Sequence, residues 1–322
     1  MTLNDANEGF MKTLMNSIKN AGILLALIGL GVFLSIVSDV FLTVSNITNI
    51  FRQVSSNLIL SIGTALVILT GGIDVSIGSI MAFSSAVAAS LMVKVGCILA
   101  SVVGLLVGAA LGALNGIAVG LLGLEPFVVT LSSMAAVRAM TFIYTKGYPI
   151  STVPEEYNVL GSGYLGPFPI PTLLSLGLFV VVFLVLRYTP FGRHIYATGD
   201  NEIAAIHSGI NVKAVKIAVY TLNGLFAAFA GLILVARLNS AIPTIGSDAP
   251  FDAIAAVVMG GISLSGGRGS LLGALVGVLL LGTINNGLNL LRIHAFWQGF
   301  VRGVVIFIAI VIDRFRATSR GK

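Results

Sequence analysis

The chain has 322 residues, of which 57% are hydrophobic and only 9% charged, and its formal net charge is +6. A soluble domain carries about a quarter charged residues, so this balance excludes one and describes a polytopic membrane protein. The basic residues stand at the ends of apolar stretches rather than in one patch, which fits topology signals and argues against nucleic acid as a partner.

Residues 1–20 are polar and carry Lys12 and Lys19, and the apolar stretch 23–37 that follows lacks a small-residue cleavage site. It reads as a retained first span. A bilayer core about 30 Å thick takes about 20 apolar residues per helix, with shorter pieces where protein covers their ends. By that rule the chain holds about ten transmembrane segments, near 21–40, 54–71, 77–95, 98–121, 126–145, 170–187, 214–237, 251–261, 270–291 and 297–313, some short or broken. The expected fold is all-α, with one transmembrane domain over 21–313 between a cytoplasmic segment 1–20 and a cytoplasmic tail 314–322. Arg314, Arg316, Arg320 and Lys322 in that tail, with the lysines before the first span, put both termini in the cytoplasm. Walking the segments alternately then puts 187–216 inside and 146–169 outside.

Small residues recur at helical spacing in Gly104, Gly108, Gly112 and Gly116, and in Gly273 and Gly277. Such faces let membrane helices approach closely. The external loop 146–169 is rich in Pro, Gly and Tyr and carries Glu155 and Glu156, which suits a docking surface, a plug or a plain connector. Two stretches echo each other: GGIDVSIGS over 71–79 and GGISLSGGRGS over 260–270. Gly71, Gly72, Gly260 and Gly261 each end an apolar run, and glycine-interrupted helices are how many transporters build a pathway. The topology puts both copies on one side, so a true repeat would be parallel; convergence on a glycine turn stays open.

No GxxxxGK[ST] phosphate loop is present, and GGRGS lacks the lysine such a loop needs, so this chain does not hydrolyse ATP. His194, His207 and His294 are scattered without a carboxylate at ligand spacing, Cys97 stands alone, and no serine sits in a GxSxG elbow. No catalytic residue, metal or cofactor of its own is expected. Polar residues at membrane depth carry more weight because each is costly unless paired or wetted: Asn57, Asp74, Asn115, Glu125, Arg138, Asp252, Arg268, Asn285 and Asn286. Asp74, Asp252 and Arg268 adjoin helix termini and read as caps or ion pairs. Asn57, Asn115, Asn285 and Asn286 are candidates to touch a hydroxylated solute, with interhelical glue as the rival role for each.

The stretch 187–216 is the long water-compatible interruption. Asp200 or Thr198 is placed to cap a short helix, with Asn201 beside them, Glu202 in its first turn, Ile203, Ala204, Ala205 and Ile206 in its body, and Gly209 at its end. A short cytoplasmic helix with bare aliphatic side chains needs a partner, or must fold back onto the bundle.

The set LVILTGGIDVSIGS, EPFVVTL, TPFGRHIYATGDNEIAAIHSGI, FDAIAAVVMGGISLSGGRGS and NNGLNLL, in that order over nearly the whole chain after the first span, resembles the ribose-type sugar permeases of bacterial ABC importers. The resemblance implies a multi-pass inner-membrane permease for a ribose-like pentose or a hexose, paired with a second copy or a sister permease. It also implies a tandem-domain ABC ATPase that binds ATP and Mg on the cytoplasmic side, and a periplasmic or lipid-tethered sugar-binding protein outside. On this view 187–216 matches the helix that seats in a groove of the ATPase, with Asp200, Asn201, Glu202, Ile203, Ala204, Ala205, Ile206 and Gly209 forming the contact. Val75, Ile77 and Arg268 depart from the family pattern without changing charge. A permease for a nucleoside or a branched-chain amino acid is the nearer rival, and a stand-alone secondary transporter the more distant one.

Overall fold

A computed structural model describes residues 22–294, 296–301, 303, 304, 307 and 311. The N-terminal segment 1–20, the tail 314–322 and about half of the expected tenth span lie outside the described residues. The chain is a helical membrane bundle: α1 (Gly22–Val37), then α2 (Val44–Leu69), α3 (Ile77–Val95), α4 (Cys97–Gly120) and α5 (Pro126–Thr145). A 3₁₀ turn (Glu155–Asn158), α6 (Val159–Ser162) and a two-stranded hairpin, β1 (Tyr164–Leu165) with β2 (Phe168–Pro169), fill the long loop after α5. There follow α7 (Ile170–Tyr188), α8 (Pro190–Asp200), α9 (Glu202–His207), α10 (Val212–Leu238), α11 (Ala249–Met259) and α12 (Leu271–Leu290). Seven of these, α2, α3, α4, α5, α7, α10 and α12, are long and apolar enough to cross a bilayer, and α1 and α11 are shorter apolar helices.

The second span begins ten residues before its expected start at 54, because Thr43 caps it: its Oγ1 accepts from Asn46 N at 3.3 Å. The polar run from Ser45 to Gln53 masks this in a hydropathy count, yet the helix satisfies its own backbone and Asn46 finds a partner across the bundle. α2 is the central pillar, with 83% of its apolar window buried, and it packs against α7, α10, α11 and α12. By contrast α4 and α5 show only 22% and 17% buried. α4 packs on α10 and α3, and α5 on α3 and α4.

The glycine faces do what their spacing implies. Along α4, Gly108, Gly112, Gly116 and Gly120 lie against α10, antiparallel, from Ala228 at one end to Lys213 at the other, while Gly104 sits chiefly on Ala88 and Ser84 of α3. A Cβ at Gly108 would stand 2.5 Å from the Ala228 Cβ and 2.6 Å from the Gly224 carbonyl, so the two backbones touch. Gly273 and Gly277 of α12 meet the main chain of α11 at Gly260 and Ala256 in the same way. Gly108→Leu should therefore force α4 off α10 at about 1–3 kcal/mol or more. Gly177→Leu, with nothing within 4 Å of the added atom, should be neutral. Thermal unfolding of the two variants in detergent checks this.

Candidate coupling site and solute path

The segment 187–216 forms two helices rather than one. Thr189 caps α8, its Oγ1 accepting from Gly192 N at 3.4 Å, and Pro190 occupies the first helical position. The early start carries α8 through to Asp200, so Thr198 and Asp200 end this helix instead of opening the next. The cap of α9 is Asn201, extended at φ −157°, whose Oδ1 accepts from Ala204 N at 2.9 Å. This corrects the expectation of Asp200 or Thr198. α9 ends as expected at Gly209, φ +82°, where Gly209 N donates to Ile206 O and Ile210 N to Ala205 O in a Schellman turn.

α9 buries Ala205 and leaves Ile203 and Ile206 bare, at 69% and 56% exposed. Glu202 does more than face the helix dipole, since its carboxylate pairs with Lys216 Nζ at 2.8 Å and so ties α9 to the first turns of α10. Asp200 pairs with Arg268 at 3.5 Å. Arg268 is thus an exposed ion-pair partner, not a cap, and a pair this open contributes at most about 1 kcal/mol. Asp252 stands in the first turn of α11, where a carboxylate faces the positive end of the helix.

The two glycine echoes are both Schellman ends of helices. Gly71 N donates to Ile68 O and Gly72 N to Val67 O after α2; Gly261 N donates to Val258 O and Ile262 N to Val257 O after α11. Gly71 and Gly261 hold φ values of +81° and +88°, which only glycine adopts cheaply. The structural match therefore pairs Gly71 with Gly261, one residue out of step with the best match of letters. The α11–α12 loop meets the end of α2: Gly267 N donates to Leu69 O at 2.9 Å, and a Cβ at Gly266 would stand 2.8 Å from Gly71 N. Gly199 of α8 is wedged into this junction, against Leu69 O and Gly267 N. Tyr196 adds a bond from its hydroxyl to Gly269 O at 3.2 Å, and burial raises its phenol above the usual range. A cavity of about 740 Å³ opens beside the junction, lined by Gly72, Glu125, Asn201, Glu202, Lys213 and Tyr220 among others.

Beyond Gly72 the chain turns back into the bundle before α3 begins. Asp74, fully buried, accepts from Ser76 N at 2.8 Å and Ser76 Oγ at 2.6 Å, and its other oxygen accepts from Asn223 Nδ2 at 2.9 Å. Asn223 lies eleven residues into α10, about 17 Å along its axis, so this carboxylate sits inside the bundle and not at its surface. It neither caps α3, whose N-cap is Ser76, nor pairs with a cation through these bonds. Thr130 of α5 steadies the same break, its Oγ1 receiving Val75 N at 3.3 Å and lying 3.1 Å from Ile73 O.

Two of the four asparagines proposed for a solute path are packing bonds here. Asn115 is buried and donates to Ser76 Oγ at 2.9 Å. Asn286 and Asn46 exchange amide bonds at 2.8 and 3.1 Å, joining α12 to α2. Asn57 and Asn285 are half-buried on α2 and α12. The residue missed from sequence is Asn223, an amide in an apolar run beside Gly224, which signals a buried interhelical bond.

The family described as "Branched-chain amino acid transport system / permease component" matches residues 46–310. The chain belongs to this family. Similar chains include the Ribose import permease protein RbsC of Bacillus subtilis, 48% identical over 91% of this chain and 92% of that protein. RbsC of Escherichia coli K12 is 45% identical over 90% and 92%, and the D-allose transport system permease protein AlsC of the same strain 37% over 88% and 87%. No solved structure matches.

Asp74→Ala would strand Ser76 N, Ser76 Oγ and Asn223 Nδ2, at about 1–3 kcal/mol per buried group. Asp74→Asn should be milder, because the Asn223 amide can turn its unpartnered Oδ1 toward the new donor. Membrane abundance and thermal stability should fall in the order wild type, Asn, Ala.

Proposed function

We propose that this chain is the membrane-spanning permease subunit of an ATP-driven importer that brings a monosaccharide across the bacterial inner membrane. The single observation that carries the reading is near half identity, over nine-tenths of the length, to a protein named for ribose import. A related chain named for D-allose transport keeps the substrate class at monosaccharides. A separate tandem-domain ATPase holds ATP and Mg, a binding protein delivers the sugar to the far side, and a second permease copy or a sister chain completes the membrane part. The termini are cytoplasmic in this reading, and 21–313 act as one transmembrane domain.

α9 offers its bare Ile203 and Ile206 to a groove of the ATPase, and the surrounding residues 200–209 complete the contact. A displacement of α9 passes through α8 to Gly199, and from there into the end of α2 and the α11–α12 loop joined to it. Since α2 is the central pillar of the bundle, the same displacement reaches the broken segment at Asp74 and resets access to the solute route. Asn57 and Asn285, the two half-buried asparagines, remain candidates on that route.

In membrane vesicles holding the full transporter, ribose loaded on the binding protein should be taken up only with ATP inside. Uptake of branched-chain amino acids but not sugars would overturn the sugar reading, and ATP-independent flux through this chain alone would overturn the importer reading. Replacing Ile203 and Ile206 together by Asp should abolish ATP-driven uptake while insertion stays normal. Each buried charge left without a partner costs several kcal/mol at such a contact.

A further inference from the structure

We infer that Arg138 and the backbone loop it clasps at 243–247 line the aqueous route by which a hydroxylated solute crosses the bundle. The inference rests on the permease reading for the existence of a solute and adds where that solute passes. Arg138 is the thirteenth residue of α5, about 18 Å from the start of a helix about 30 Å long. It therefore stands inside the span, about 10 Å from the end that leads to Ile150, on the least covered of the seven long helices. Its Nη1 donates to the Pro243 carbonyl at 2.7 Å and the Ile245 carbonyl at 3.2 Å. Both acceptors are neutral main-chain groups, so these bonds orient the guanidinium without cancelling its charge. Among the described residues its hydrogen bonds all run from Nη1, and a guanidinium has further donors on Nε and Nη2.

The loop carries a second, independent indication. Residues 239–248 leave the end of α10 and return without helix, and Gly246 packs on Gly78 and Met81 in the first turns of α3. Irregular backbone at membrane depth persists only where protein covers it or water wets it. Pro243 is buried, but Thr244 and Ser247 are exposed on the loop. Lipid against this face would meet a guanidinium inside the span and an unwound backbone with bare hydroxyls, and the charge alone is costly there. Water meets both at little cost. Ala135, one turn before Arg138, and Ala139 beside it are small and exposed, which leaves room for a solute next to the guanidinium. The chemistry suits a neutral polyol, since the donors on Nε and Nη2 match hydroxyl oxygens and need no anion.

The test places single cysteines at Ala135→Cys and Thr244→Cys in a Cys97→Ser background, in membrane vesicles containing the full transporter. Leu106→Cys on α4 and Val181→Cys on α7, at 63% and 58% exposed, report the outer apolar faces. A charged, membrane-impermeant methanethiosulfonate should modify the first pair at least ~10-fold faster than the second, because only the thiolate reacts and it forms in water. Modification at 135 should block sugar uptake, whereas treatment of the 181 variant should leave it intact. Labelling of both 135 and 244 at or below the control rates, in vesicles whose unmodified transporter takes up sugar, would overturn the route. Absence of sugar uptake by the unmodified transporter would instead overturn the permease reading itself.

Discussion

Inside a bilayer every main-chain N–H and C=O must find a partner within the protein, and the return of the chain between α2 and α3 is where this requirement presses hardest. Seven residues, 70–76, leave the helix while the bundle still surrounds them. Their polar groups are served by a Schellman turn, by Asp74 folding onto Ser76, and by the Thr130 hydroxyl. Asn115 and Asn223 then bind the same cluster to α4 and α10. Without these side chains the break would heal into helix or open to water, and α3 could not begin inside the bundle. The glycine face of α4 serves the same end, since it lets α10 come close enough for Asn223 to reach Asp74.

Much of this was legible beforehand. Apolar length revealed the long spans, and four-residue glycine spacing revealed the α4 and α12 contacts, because both depend on local pattern alone. Helix starts were less legible: Thr43 and Asn201 act as caps only because their backbones are extended, which no letter displays. The pairing of Gly71 with Gly261 was hidden for a related reason. The letters align two glycines with two glycines, while the turn needs only one at positive φ, and Thr70 and Ile262 fill the other places. Site residues were the least legible. Asn115 and Asn286 look like solute contacts in isolation and prove to be bonded within the bundle, because their partners Ser76 and Asn46 stand 39 and 240 residues away.

The bundle thus separates two tasks between its faces. The end that carries α8 and α9 gathers backbone contacts, two ion pairs and bare aliphatic side chains; the α5 face holds a guanidinium, small residues and an unwound loop. Both reach α2 and α3 by short connections, the first through Leu69 and Gly199, the second through Gly78 and Gly246. The second also seats the Met81 side chain against Gly246, whereas the first runs through main chain alone.

That last property has a mechanical meaning. At the junction of Gly199, Gly267 and Leu69 the touching atoms are carbonyl oxygens, amide nitrogens and α-carbons, with no rotatable side chain between them. A lysine or methionine placed there would swing through its rotamers and absorb a small push as slack. Main chain meeting main chain has no such play, so the joint has low compliance: a displacement of α8 of even an ångström must appear at the end of α2 or break a hydrogen bond.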